Sequence, residues 1–455
     1  MHIPKIMRAG SRVKGMAAAL FLYGSGLLMA QNPFITDQFT ADPSARVFND
    51  KVYVYPSHDI LANENRGRIG WFCMADYHVF SSPDLTGWTD HGVIVHQEEV
   101  PWVNPDSYSM WAPDCIEKDG KYFFYFPSIR RDTTSGRGFG IGVAIADRPE
   151  GPYTPEPHPI AGVNGIDPNV FFDADGQAYL YWSLGNLFVA RLKENMLELD
   201  SEPVAIANLP QEGLKEGPYM FERNGIYYLT YPHVENKTER LEYAIGKSPL
   251  GPFTVTGVIM DESPTGCWTN HQSIIEYQGQ WYLFYHHNDL SPDFDKARSV
   301  RIDSLFFNED GTIRKVNPTL RGVGVTPASG TIQVDRYSAR SDSTVQVVFL
   351  DTLNTFRGWK TVLPQKGDWI QYNSVDFGEK ACTYFRMIAV SPGGGKLELR
   401  LDRPDGPLIA EAEISAGPEW LAVEEDLSAF YPGIHHLVVV SKGDHPVEID
   451  WLRFD

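Results

Sequence analysis

The sequence predicts an all-β chain: a five-bladed β-propeller followed by a β-sandwich of jelly-roll type. Three observations lead there. One hairpin is written five times, as "NDKVYVYP", "KDGKYFFYFP", "ADGQAYLYW", "RNGIYYLTYP" and "YQGQWYLFYHH". A second, small-residue strand with a Pro/Gly turn echoes behind several of them, in "YHVFSSPDLTGWTDHG", "VAIADRPEGPYTP" and "YAIGKSPLGPFTVTG". Finally, the pattern breaks near "RGVGVTPASGT" and shorter alternating strands take over.

In chain order, residues 1–30 form the first element. Lys5, Arg8, Arg12 and Lys14 precede the apolar run "GMAAALFLYGSGLLMA", which ends in small residues before Gln31. A charged head, a short apolar run and a cleavage-like end describe a secretory signal peptide, so the expected location is exported, periplasmic or secreted. No later stretch is apolar enough to span a bilayer, so no membrane span is expected in the mature chain.

Residues 31–325 carry the repeats. Their turns fall at Asp50, Gly120, Gly176, Gly225 and Gly279. A period of roughly 50 to 70 residues suits four-stranded propeller blades, each opening on a tight turn between β-branched and aromatic runs. The stretch 321–331 lacks hydrophobic periodicity and reads as a linker. Residues 326–455 then alternate in "DWIQYNSVDFG", "KLELRLD", "HHLVVVSKG" and "VEIDWLRFD", as a compact sandwich requires.

Composition narrows the function. A 455-residue chain with 42% hydrophobic and 13% aromatic residues can build two packed cores. A formal net charge of -20 argues against nucleic acid, whose phosphates call for a basic footprint. The four cysteines (Cys73, Cys115, Cys267, Cys382) show no close pair and no metal-ligand spacing, and read as buried thiols.

The innermost strands of a propeller lead into one central funnel, so the residues that open them face each other. Reading back from each turn gives Asp42, Trp111 with Asp114, Asp167, Glu216 and His271. Asp167 and Glu216 each lie nine residues before their turn glycine, in one register. Like charges gathered at one place are costly unless they bind a metal or do chemistry. Two carboxyl groups across a cleft are the equipment of glycosidic cleavage, one donating a proton and the other activating water; a third sets the acid's pKa. Trp71, Trp111 and Trp268 are candidates to pack on sugar faces.

With these residues in place, "ADPSARVFNDKVYVYPSHD", "SMWAPD", "GIDPNVFFDADGQAYLYW", "EGPYMFERNGIYYLTY", "NHQSIIEYQGQWYLFYH" and "ARSVRIDSLFFNEDGTI" resemble, in family order, the catalytic domain of glycoside hydrolase family 43. The resemblance implies inversion at α-L-arabinofuranosyl or β-D-xylosyl linkages, with galactosyl linkages as an alternative. It implies Asp42 as general base, Glu216 as general acid and Asp167 as the residue that tunes and orients the acid. His271 matches an axial histidine that holds a water or a calcium ion, Arg298 a substrate-contacting arginine, and Trp111 the cleft tryptophan. No cofactor is required for the chemistry, and the partner is an oligosaccharide or polysaccharide. The insertion "HDILANENRGRIGWFCMADYH" is expected to cap part of the site and favour exo-action. The tail resembles a family 6 carbohydrate-binding module. That likeness implies a structural Ca2+ held by Gln333, Asp335 and Asp450, and a sugar clamp of Trp359 and Trp420. Glu448 stands where the family has an Asn. The alternatives are a retaining fructose-releasing propeller, whose signatures differ from "TADPSA", "GIDPN" and "KEGPY", and a silent polysaccharide-binding propeller.

Overall fold

The computed structural model describes residues 32–132, 138–341, 344–353 and 357–455. The segment 1–30, expected to be a signal peptide, lies outside the described residues. Among the described residues the regular secondary structure is strand, apart from a 3-10 turn at Gln97–Glu99 and a 3-10 residue at Arg357.

The first sheet holds β1 (Phe39–Phe48), β2 (Lys51–Asp59), β3 (Asp76–Ser82) and β4 (Thr89–His96), in that order. The second holds β5 (Asp114–Lys118), β6 (Lys121–Ile129), β7 (Phe139–Ala146) and β8 (Thr154–Pro155). Next come β9 (Ile166–Phe172), β10 (Ala178–Ser183), β11 (Leu187–Arg191) and β12 (Val204–Ala205). The fourth sheet is β13 (Tyr219–Arg223), β14 (Ile226–Val234), β15 (Glu239–Gly246) and β16 (Thr254–Met260). The fifth has three strands, β17 (Ser273–Tyr277), β18 (Gln280–His287) and β19 (Ser299–Leu305). Each predicted hairpin is the inner pair of one sheet.

The leading strands touch in a closed circuit, β1 to β5, β9, β13, β17 and back to β1, which makes the five sheets blades of one propeller. Residues 32–40 run along the open edge of the fifth blade. The Phe34 N–H donates to the Val300 carbonyl at 3.3 Å and the Thr40 N–H to the Arg298 carbonyl at 2.9 Å. Asn32 reinforces that edge, accepting from the Ile302 N–H at 2.9 Å.

Why the Pro/Gly turns echo is now visible. Buried tyrosines of one blade donate to the turn of the next: Tyr55 Oη to the Pro149 carbonyl at 2.7 Å, Tyr181 Oη to Pro249 at 2.7 Å and Tyr277 Oη to Pro83 at 2.5 Å. A phenol buried between blades needs such an acceptor, so hairpin and turn repeat together.

At the centre, Arg46 and Asp114 stitch the ring. Arg46 pairs with Asp114 at 2.5 Å, donates to the Val170 carbonyl at 2.9 Å and lies 5.3 Å over the Tyr219 ring. Asp114 also accepts from Ser44 Oγ at 2.6 Å and the Val170 N–H at 2.7 Å. It thus braces blades from beneath the funnel and does not line the pocket above.

Beyond Leu305, two six-stranded sheets face each other over one apolar core. The stretch read as a bare linker is partly docked. Thr326–Pro327 pairs in parallel with Trp369–Asp376, the Ala328 N–H donates to the Asp376 carbonyl at 2.8 Å, and Arg321 is buried. All four cysteines are free thiols. Among the described residues no helix is long and apolar enough to cross a membrane.

Candidate active site

Asp42 and Asp167 both take left-handed backbone angles, φ 47° and 57°, and each precedes a proline. Both sit at register breaks, Asp42 between Ala41 and Ser44 and Asp167 opposite the Tyr181/Ser183 shift. A bulge turns a side chain that would follow the pleat out of the sheet, and a non-glycine residue at positive φ is strained. In the fourth blade the same bend falls one residue later, at Gly217 with φ 53°, which aims Glu216. A left-handed bend at or beside the carboxylate is thus common to all three.

Asp42, Asp167 and Glu216 line one pocket of about 570 Å³, open mouth included, together with Trp111, Trp268, His271 and Arg298. The structure thus gathers these seven residues from all five blades, whereas Asp114, expected beside them, stays below the pocket. Trp71 lines it too, beside Phe72 and Met74 from the segment between β2 and β3. Phe72 sits amid the aromatic wall, 6.2 Å from Trp111 and 6.3 Å from Trp268 by ring centroids. The capping insertion does reach the site.

Asp42 is held as an anion. Its Oδ1 accepts from Arg298 Nη1 at 2.9 Å and its Oδ2 from Ser57 Oγ at 2.7 Å. Burial alone would raise the carboxyl, but Arg298, His286, His271 and the Ser57 hydroxyl outweigh it and bring it down to about 2. Arg298 is itself fixed by Asp59, through Nε to Oδ2 at 2.9 Å and Nη2 to Oδ1 at 2.8 Å. Only 3% of Arg298 is exposed, so its guanidinium is spent on two carboxylates and its visible task is to hold Asp42. His286 Nδ1 accepts the Asp42 N–H at 3.1 Å, which leaves the proton on Nε2, facing the Thr269 carbonyl at 3.1 Å. Burial and then Arg298 push this imidazole down to about 3, so it stays neutral.

The opposite wall behaves the other way. Burial first, then the mutual repulsion of neighbouring carboxylates, raises Asp167 and Glu239; burial and the Asp42 charge raise Glu216. Asp167 accepts from the Ser183 hydroxyl and the Gly217 N–H, both at 2.9 Å, which ties it to the backbone beside Glu216. Glu239, at the start of β15, lies within hydrogen-bonding reach of Glu216 and accepts the Asn270 N–H at 2.7 Å. One side of the pocket thus keeps a charge while the other keeps protons. That asymmetry is what acid/base cleavage needs.

Sequence reasoning missed Asp59, Glu239, His286 and Phe72. Asp59 and His286 lie at the far ends of β2 and β18, away from the strand openings that the repeat brings to notice. Glu239 opens an outer strand and carried no signal.

His271 places Nδ1 3.9 Å from Asp42 Oδ1. Among the described residues it belongs to no cluster of three His, Cys, Asp or Glu ligand atoms, so a cation there would rest on one imidazole and solvent. A second pocket, of about 980 Å³ with its open mouth, adjoins the first and shares Trp111, Ile166 and Glu216 with it. Glu216 stands at the junction.

In the tail, burial raises Asp335, and burial together with the nearby Asp335 charge raises Asp450. Such oxygen donors fit a Ca2+ ion. Gln333 is exposed, and its carbonyl already accepts the Arg336 N–H at 3.1 Å. The expected sugar clamp is not assembled. Trp359 stacks on Phe349 at 4.0 Å and shares a strand face with inward-pointing Thr361 and Leu363. Lys360, on the other face, has Nζ 5.8 Å over the Trp420 ring and 2.6 Å from Glu448. Alternation along a strand therefore parts Trp359 from Trp420 and Glu448.

Fold and pocket together define a glycoside hydrolase. Residues 30–313 match the family described as glycosyl hydrolases family 43, and residues 338–455 match the carbohydrate binding module (family 6). The chain belongs to glycosyl hydrolase family 43. It is 40% identical to the xylosidase/arabinosidase 43A of Humicola insolens, over 63% of this chain and 99% of that one. A family 43 enzyme from Xanthomonas citri, solved in complex with xylotriose, is similar at 36% identity and TM-score 0.57, covering 64% of this chain and 94% of the other. The arabinoxylan arabinofuranohydrolase of Bacillus subtilis, solved with cellotetraose, spans 94% of this chain and 98% of its own, at 26% identity and TM-score 0.54.

Proposed function

We propose that the chain is an exo-acting, inverting glycosidase that releases terminal xylosyl or arabinofuranosyl units. One observation carries the reading: a carboxylate held ionised and a pair pushed toward their protonated forms share a single pocket. Glu216 protonates the departing oxygen at the junction of the two pockets, so the terminal sugar fills the aromatic one and the leaving group the other. Asp42 removes a proton from a water that attacks the anomeric carbon from the opposite face. Asp167, bound to the Gly217 N–H, keeps the acid aligned and, by its proximity, protonated. No metal or cofactor takes part in these steps.

The pentose assignment is supported by the names of the relatives and by the wall from Trp71 to Met74, which restricts the pocket to a chain end. Nitrophenyl xyloside, arabinofuranoside and galactoside are to be assayed side by side, with proton NMR of the first-formed sugar. Release of a pentose whose first-formed anomer is opposite to that of the substrate is expected. Retained configuration, or turnover of the galactoside alone, defeats the reading. Export is proposed on the charged and apolar leader, and a secreted chain beginning near Gln31 is the expected product.

A further inference from the structure

Outside the pocket, the first blade carries a cluster that the hydrolytic chemistry does not use. The β2–β3 pairing of Ser57 with Tyr77 sets His58 opposite Asp76. Asp76 and His78 alternate onto one face of β3. His58 Nδ1 lies 2.6 Å from Asp76 Oδ1, and His78 Nε2 lies 4.0 Å from that oxygen. One ligand atom from each of the three residues falls within 4.8 Å of the others. A tetrahedral ion with bonds of about 2.0–2.1 Å holds its ligand atoms about 3.3 Å apart, between those two spacings. The three side chains are 14–18% exposed, which leaves water free to fill the fourth position.

A second observation orients the cluster. His78 Nδ1 is 3.0 Å from both oxygens of Asp90 on β4. Asp90 is steadied in turn by Gln38 Nε2 at 3.0 Å and the Gly92 N–H at 2.7 Å. A carboxylate on one ring nitrogen fixes the proton there and turns the other nitrogen's lone pair outward, the usual arrangement behind a metal-bound histidine.

We propose that His58, Asp76 and His78 bind a divalent transition-metal ion of the Zn2+ class, with Asp90 as the orienting partner of His78. Two imidazoles and one carboxylate suit Zn2+ and its neighbours and disfavour Ca2+, which takes oxygen donors. The location gives the ion a purpose. His58 directly precedes Asp59, which anchors Arg298, and Asp76 directly follows the segment that carries Trp71, Phe72 and Met74. The ion would tie the neck of the pocket's capping loop.

The full chain, freed of metal by a chelator, is dialysed against Zn2+ alone and its metal content measured, with hydrogen exchange followed over 60–75. One Zn2+ per chain and slower exchange in that segment are expected, with Ca2+ failing to compete. The His58→Gln/His78→Gln double variant should lose the ion. Asp90→Asn, which leaves every ligand in place, should weaken binding about 10–100-fold. His271→Ala should keep the full stoichiometry. Substoichiometric Zn2+ in the wild type, or an ion retained by the double variant, overturns the proposal. Should the double variant not fold, the wild-type stoichiometry and the Asp90→Asn affinity decide it.

Discussion

At the scale of single residues, the pocket works by treating chemically similar groups differently. Asp42 meets Arg298, Ser57 and two imidazoles, and the field of those groups overcomes burial; Glu216 meets other carboxyls, and burial wins. These shifts fix the pH dependence. The base is ionised above about 2, so it imposes no limb in the working range, whereas the acid must keep its proton and loses it at about 7. kcat/KM should therefore fall as pH rises through neutrality, well above the ordinary carboxylate range. A profile flat to pH 9 would be at odds with this assignment. Stability follows the same sign. A carboxyl whose folded pKa is raised costs stability as pH climbs from its unfolded value through the raised one. Glu216→Gln should accordingly raise Tm more at pH 8 than at pH 5. The sequence showed Asp42, Asp167 and Glu216 because they open repeated strands. It hid Asp59 and Glu239, whose parts depend on which blade wraps beside which.

At the scale of elements, a left-handed bend at the start of the inner strand, with a register break in the first and third blades, is the device that aims a carboxylate into the funnel. In the fourth blade the bend belongs to Gly217, where an added Cβ would lie 2.9 Å from Pro232 Cδ and 3.0 Å from His271 Cε1. A left-handed conformation costs an L-residue roughly 1–2 kcal/mol, and relief would swing Glu216 or displace His271. Gly217→Ala should lower kcat/KM at least tenfold while circular dichroism stays unchanged; full activity would show that the bend does not position Glu216. Hairpins were legible because turn glycines and aromatic alternation are local. The Trp359 and Trp420 clamp was misjudged for a related reason: a likeness in residue type does not say which face of a strand each ring occupies. The segment 321–331 lacked periodicity, yet its two-residue strand is held by a parallel pairing that no local pattern announces.

At the scale of the whole molecule, the ring is held by its centre as much as by its closure. Arg46 reaches three other blades, and Asp114 neutralises it out of water. Breaking a buried pair leaves one charge uncompensated, at a cost of about 3–5 kcal/mol. Asp114→Ala should lose about that much in denaturant unfolding, read on the catalytic domain; a loss below 1 kcal/mol would mean that the ring is held elsewhere. The blade count was legible from the five hairpins, while the Tyr-to-turn bonds that explain the second echo required the blades to be set side by side. Glu216 as the proposed proton donor of the pocket is tested most directly by leaving groups of different basicity. Glu216→Ala should cost about 10²–10⁴-fold on a xylo-oligosaccharide, whose departing oxygen needs a proton. It should cost far less on a dinitrophenyl glycoside, which departs without one. Equal losses on both substrates, or unchanged turnover of the oligosaccharide, would contradict it.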